Sequence, residues 1–493
     1  MNLVGIDTLA KAPLGDGDLL VGGRWLPAAD GRTYPVYDPA TGDLVREVSA
    51  AGVDDARAAV EAGARAADGW RATPSRRRSE ILHDTFRLMR EHTDTLARLI
   101  VLENGKAYRD AAAEVGYAAE FFRWFAEEAV RVGSSFGDAP NGGYRHVVRK
   151  HPVGVTAFVT PWNFPAAMAT RKIAPALAAG CPVLLKPAPE TPLTALAVAA
   201  LLSEAGLPDG LLNVLPTDRA PEVVTAWLGD ERVRKFSFTG STATGKVLLE
   251  QAAANVVNVT MELGGNAPFV VCADADVDAA VRGAMDAKMR GGGEVCIAAN
   301  RFYVHTSVAV EFTEKLSAAM NAVRTGPGLE DGVTLGPMIN QAAVDKIRSL
   351  VDDAVARGAK VAARGTIPDS PGFYHPATVL TDVPDDARIL HEEVFGPVAP
   401  LTTFTDETDM LARANATVHG LASYVYSADV ARALRIAERL EAGMVGVNRG
   451  LLSDPAAPFG GVKQSGLGRE GGREGIEAFL ETQYIALDWP TEI

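Results

Sequence analysis

Four residues stand where their types could do chemistry. Cys296 lies in MRGGGEVCIAANR, behind three consecutive glycines that let backbone approach a ligand closely and leave N–H groups free. Glu262, in MELGG, sits where an apolar run meets a Gly-Gly turn. Asn163 in TPWNFP and Lys186 in LLKPAPETP each follow a short apolar run. A cysteine in such a setting is a candidate nucleophile. Each residue also has a plain reading. A lone cysteine is commonly a buried, inert hydrophobe, and Cys181 and Cys272 read that way. Cys296 is open to both. Glu262 is open to being a solvated turn carboxylate, and Asn163 and Lys186, taken singly, to structural roles.

The elements that must position these residues can be read from apolar spacing. Between 152 and 263, strands are expected at 152–161, 181–187, 211–216, 233–240 and 256–263, and helices at 169–179, 193–205, 220–228 and 245–253. That alternation is the mark of an α/β chain with a parallel, doubly wound sheet. Such sheets bind ligands beyond the carboxyl ends of their strands, where Asn163 and Lys186 fall. A second run follows, with strands at 268–272, 299–305, 398–404, 421–427 and 443–447 and helices at 277–289, 308–323 and 340–357. Upstream, helical stretches are expected at 53–67, 75–105 and 108–132, and residues 1–18 read as a loosely held arm. The Gly-rich turn at 263–266 is a natural seam between two lobes.

With 493 residues, 47% of them apolar and 22% charged, the chain has the make-up of a multi-lobed globular protein. A net charge of −14 argues against a nucleic-acid partner or an anionic membrane surface, which need a clustered positive field. No run approaches about 18 uninterrupted apolar residues, so no membrane span is expected. The N-terminus lacks the basic and apolar pattern of a signal peptide. Three cysteines without a CxxC point to a reducing, cytoplasmic setting, and no HExxH or paired Cys/His set suggests a metal.

Two glycine motifs need sorting. GSTATGK (240–246) follows a strand and opens a helix, where N–H groups can hold a pyrophosphate; a plain tight turn is the other reading. It nearly matches the P-loop, but Val247 replaces the hydroxyl that would ligate Mg2+, which argues against an NTPase. GLGREG (466–471) matches GxGxxG, but it follows KQS rather than a strand and leaves too little chain for a βαβ unit.

Taken together, TPWNFP, LLKPA, FTGSTATG, MELGGNAPF, GGGEVC, EEVFGP and APFGGVKQSGLGREG resemble, in order and spacing, the NAD(P)-dependent aldehyde dehydrogenases. The resemblance runs from Leu20 to the C-terminus. NFPAAMATRK, ALAAGCPVLLKPA and FGGVKQSGLGREGG are most similar to the succinate-semialdehyde dehydrogenase branch. The resemblance implies the α/β aldehyde dehydrogenase fold. A Rossmann-like dinucleotide-binding domain would span 20–133 and 153–263, and a catalytic domain 264–464. A small β oligomerisation element would span 134–152 and 478–493, with an N-terminal arm at 1–19. It also implies a small-molecule aldehyde substrate, NADP or NAD as cofactor, and a homodimer or homotetramer.

By resemblance, Cys296 is the nucleophile that adds to the aldehyde. The Asn163 amide and the Cys296 backbone N–H hold the oxyanion, and Glu262 activates water against the resulting thioester. Lys186 would hold the cofactor ribose hydroxyls and, as a nearby cation, help lower the cysteine pKa. Glu393 would bind the nicotinamide ribose, Gly240, Ser241 and Gly245 would line the pyrophosphate turn, and Thr160 and Trp162 would wall the cofactor. In the succinate-semialdehyde branch, residues matching Arg171, Arg290 and Ser453 bind the substrate's far carboxylate. A guanidinium suits that task through paired hydrogen bonds. Pairing of the two arginines with local acids is the competing reading. Phe164 and Phe459 would be apolar walls beside the reacting carbon.

Three departures from the family pattern carry expectations. Gly291 stands where Asn is usual, which implies a looser loop. Glu294, two residues before Cys296, replaces a common Gln; near the sulfur it would raise the thiol pKa. Pro189 replaces a carboxylate that NAD-preferring relatives often carry, so NADP is expected to be accepted with a modest preference, unless Glu190 swings back to take that carboxylate's place.

Overall fold

The structure, a computed structural model, describes residues 8–488. Strands Val155–Val159 and Val183–Lys186 are buried at every position, as a sheet covered by helices on both faces requires. They belong to an eight-stranded sheet in the order 24–26, 19–21, 212–214, 183–186, 155–159, 233–239, 258–262, 466–467. The five strands from 212–214 to 258–262 run parallel. Their register pairs Val159 with Lys186 and Thr239 with Glu262. Thr160, Lys186, Gly240 and Glu262 therefore share one edge of the sheet.

A second sheet of seven strands has the order 360–364, 378–381, 398–404, 299–305, 267–271, 422–426, 444–447. The first sheet's strand Asn258–Glu262 and the second's Ala267–Val271 are separated by the turn 263–266. Ser135–Asp138, Arg145–Pro152 and Leu480–Leu487 form a separate three-stranded antiparallel sheet. Residues 1–7 of the expected arm and 489–493 of the expected β element lie outside the described residues.

Several expected bounds move for identifiable reasons. The single helix expected at 75–105 is two, Ser75–Glu91 and Thr93–Asn104, broken at His92. Thr93 Oγ1 donates to the Arg90 carbonyl at 2.8 Å, a side-chain bond that competes with the helical ladder. The helix expected at 169 begins at Pro165, where its missing N–H is harmless. The helix expected at 245 begins at Thr242, because Ser241 Oγ caps it by accepting from the Thr244 N–H. The described part of the arm is not loosely held. Leu9 is buried, its carbonyl accepts from Arg46 Nε at 2.7 Å, and Asp18 pairs with Arg46 at 2.6 Å.

Candidate active site

The aligned strand ends open onto a cavity of about 280 Å³. Trp162, Asn163, Gly240, Ser241, Glu262, Cys296 and Glu393 line it. Thr160, Lys186, Gly245 and the five expected substrate residues are not part of its lining. Thr160 and Lys186 sit behind the edge, joined by a 3.2 Å bond from the Thr160 N–H to the Lys186 carbonyl.

Cys296 reaches the cavity because glycines let two loops meet. Gly291, Gly292 and Gly293 take φ of 53°, 67° and 79°, a left-handed run that side chains disfavour. The Gly291 N–H donates to Asp110 at 3.0 Å, so the loop expected to be looser is tied at that residue. A Cβ on Gly265 would lie 2.2 Å from the Cys296 carbonyl, so the MELGG turn can pack on the cysteine loop only as glycine. Burial pushes the Cys296 thiol up to about 12; Arg171 works against this, and Glu393 and Glu262 add to it. Among the strongest influences on the sulfur, the cation that opposes burial is Arg171 rather than the expected Lys186. The Glu294 carboxyl is engaged by the Ile339 N–H, from which it accepts at 3.2 Å.

Glu262 is buried at the end of its strand, and both carboxyl oxygens lack a hydrogen-bond partner. Burial and the Glu470 charge hold its pKa well above the usual carboxylate range. The two acids divide roles: Glu470 bonds Lys172, which with Arg171 keeps it below its usual range although burial opposes this. Neither Lys172 nor Glu470 was singled out from sequence. Glu470 lies inside the rejected GLGREG motif, and only the fold brings it to Glu262.

The Asn163 amide donates to the Glu294 carbonyl at 2.8 Å, which fixes the amide's orientation and leaves its second N–H free. Burial pulls Lys186 down to about 8. Burial raises Glu393 to about 7, while its Oε1 accepts from the Gly265 N–H at 3.1 Å. Trp162 meets Phe395 edge to face, at 5.4 Å between ring centres. The donor set fits a dinucleotide. A Cβ on Gly240 or Gly245 would fall 2.4 Å from Phe238 or Leu263, so the capped turn is bare backbone at the N-terminus of helix Thr242–Ala253.

Behind the cysteine, Arg171 is buried with Nε and Nη1 unpartnered. Its Nη2 donates to Tyr117 Oη at 2.6 Å, and its guanidinium lies 4.0 Å from the Phe459 ring centre. Arg290 lies 5.6 Å from the Tyr117 ring and 5.1 Å from Phe164. The structure thus gathers Arg171 and Arg290 around Tyr117, with Phe459 against the first guanidinium and Phe164 against the second. Glu470 is 3.8 Å from Arg171 Nη1, an ion pair but not a hydrogen bond. No hydrogen bond joins Ser453 to either arginine, and Arg290 has no carboxylate partner among the described residues. No group of three or more His, Cys, Asp or Glu is placed to hold a metal among the described residues.

The chain belongs to the aldehyde dehydrogenase family, whose sequence profile matches residues 25–485. It is 48% identical to the NADP(+) succinate-semialdehyde dehydrogenase GabD of Escherichia coli K12, over 95% of this chain and 97% of that one. It is 52% identical to a succinate-semialdehyde dehydrogenase of Paenarthrobacter nicotinovorans, over 91% of this chain and all of the relative. The crystal structure of succinate-semialdehyde dehydrogenase from Burkholderia pseudomallei superposes with a TM-score of 0.95 at 46% identity, covering 97% of this chain and 99% of that one. The α/β aldehyde dehydrogenase fold expected from the motifs is the observed one.

Proposed function

We propose that this chain oxidises succinate semialdehyde to succinate with NADP+ or NAD+. One observation carries the substrate: a buried Arg171 with two donors that make no hydrogen bond, gathered with Arg290 around one aromatic ring. Buried polar groups are rarely left unpaired, and a carboxylate ligand would satisfy both donors. The named succinate-semialdehyde dehydrogenases of similar sequence support the same reading.

In this reading the Cys296 thiol gives its proton to solvent and the thiolate sulfur adds to the aldehyde carbon. The free N–H of the Asn163 amide and the Cys296 backbone N–H take the oxyanion, each such donor contributing about 3–4 kcal/mol. When bound, the nicotinamide would supply the hydride acceptor. Loss of hydride leaves a thioester on Cys296. Glu262, once ionised, takes a proton from water, which attacks the thioester and frees the sulfur. Lys186 and Glu393 would hold the cofactor's ribose hydroxyls, and Gly240, Ser241 and Gly245 its pyrophosphate.

The two large sheets support a cofactor domain at 20–133 and 153–263 and a catalytic domain at 264–464. The three-stranded sheet supports assembly as a homodimer or homotetramer. Three unpaired cysteines fit a cytoplasmic setting, and no helix among the described residues is long and apolar enough to cross a membrane.

Steady-state kinetics on two substrates test the proposal. Arg171→Ala and Arg290→Ala should each lower kcat/KM for succinate semialdehyde by about 2–3 kcal/mol. Butyraldehyde has the same carbon count and no carboxylate, and should be affected far less. Equal losses on both would make the arginines structural and sink the substrate assignment.

A further inference from the structure

Asn163 hangs on the turn between strand Val155–Val159 and helix Pro165–Ala179. That turn is gripped by side chains from one distant segment. Asn104 Nδ2 donates to the Trp162 carbonyl at 3.1 Å, and Lys106 Nζ donates to the Asn163 carbonyl at 2.6 Å. Glu114 accepts from the Ala166 and Ala167 N–H groups at 2.9 and 3.3 Å, closing the start of the helix. Lys106 and Glu114 bond each other at 2.6 Å, with side chains 5% and 0% exposed. Lys106 Nζ also sits 4.1 Å from the centre of the Phe164 ring. From the other side, the Glu294 carbonyl takes one N–H of the Asn163 amide.

A buried ion pair is weak evidence for stability, because desolvation offsets the attraction. This pair has a different consequence. A lysine set by a carboxylate, a carbonyl and a ring face has one position available, and the Asn163 peptide is fixed with it. Main chain and amide are then braced at separate points, and the amide's remaining N–H has a single direction.

We propose that Lys106, held by Glu114, is a positioning residue that fixes the Asn163 amide for the oxyanion. This rests on the reading of Asn163 as an oxyanion donor, so the test is a double-mutant cycle. The single-turnover burst of reduced cofactor is measured in wild type, Lys106→Met, Asn163→Ala and the double variant. Alkylation of Cys296 by iodoacetamide, which uses no oxyanion donor, is measured alongside. Lys106→Met should slow the burst about tenfold or more and leave alkylation within about twofold. In the Asn163→Ala background it should slow the burst no further. An equal slowing in both backgrounds, no slowing in wild type, or a matching loss of alkylation overturns the proposal while leaving the Asn163 reading intact. A full burst from Asn163→Ala alone overturns that reading, and the proposal with it. Lys106→Met leaves a buried carboxylate unpaired. If that variant does not fold, Lys106→Met with Glu114→Gln removes both charges, keeps an acceptor for the Ala166 N–H, and is read by the same cycle.

Discussion

Burial pushes up both the Cys296 thiol and the Glu262 carboxyl, and this has a measurable consequence for the thiol. The thiolate is the species that alkylates. With the thiol pushed up to about 12, its ionised fraction in the ligand-free protein climbs steadily through the alkaline range. The logarithm of the iodoacetamide rate should therefore rise almost linearly between about pH 7 and about pH 10, with no plateau. Arg171 is the charge that opposes burial, so Arg171→Ala should slow alkylation at any fixed pH in that range. A plateau below about pH 9 would mean that the thiol ionises earlier than its surroundings dictate. Single residues of this site were legible to different degrees. Cys296 and Glu262 stood out because glycines beside them announce close backbone approach. Lys106, Glu114 and Tyr117 did not, because a lysine between two helices, and a glutamate and a tyrosine within a helical pattern, read as ordinary solvated or packing positions. What makes them special is contact with 163–171, about fifty residues further along the chain.

Elements were legible where periodicity and breakers agree. Helix Val277–Met289 and strand Ala299–His305 match their expected bounds, since an Asp276 cap and a dense apolar run leave little ambiguity. The short N-terminal strands and the pair Lys360–Arg364 and Thr378–Thr381 were not, because their pairing partners rather than their own patterns define them. The turn after strand Val183–Lys186 bears on cofactor choice. Pro189 and Glu190 line a separate cavity of about 500 Å³ with Tyr34, Glu103 and Asp218. Glu190 also acts electrostatically on Lys186, raising its pKa against burial. A carboxylate at 189 would repel a ribose 2′-phosphate, and proline removes that repulsion. NADP+ should therefore be accepted with a modest preference, and Pro189→Glu should move the kcat/KM ratio toward NAD+. Wild type favouring NAD+ by about tenfold, or an unchanged ratio in Pro189→Glu, would show that this turn does not set the choice.

At the scale of the whole molecule, the three-stranded sheet is the part that a single chain leaves unfinished. Strand Leu480–Leu487 pairs with Arg145–Pro152 along one side only, and its other edge has no partner strand among the described residues. Tyr484 is 56% exposed, Phe136 58% and Tyr144 41%, an apolar display unlike the charged or proline-blocked edges of strands meant to stay alone. On the strand beside it, Arg145 is paired with Asp138 and Lys150 with Glu477, so the sheet presents little net charge. An open apolar edge of this kind favours pairing with a second copy of the chain. Light scattering after size exclusion should give a mass of two or four times 51.9 kDa for the wild type. Ile485→Lys places a charge on the open edge strand without touching the aldehyde site, and should shift the mass toward the monomer while the Cys296 alkylation rate stays unchanged. A monomeric wild type, or an Ile485→Lys protein that keeps the wild-type mass, would mean that this sheet does not build the assembly.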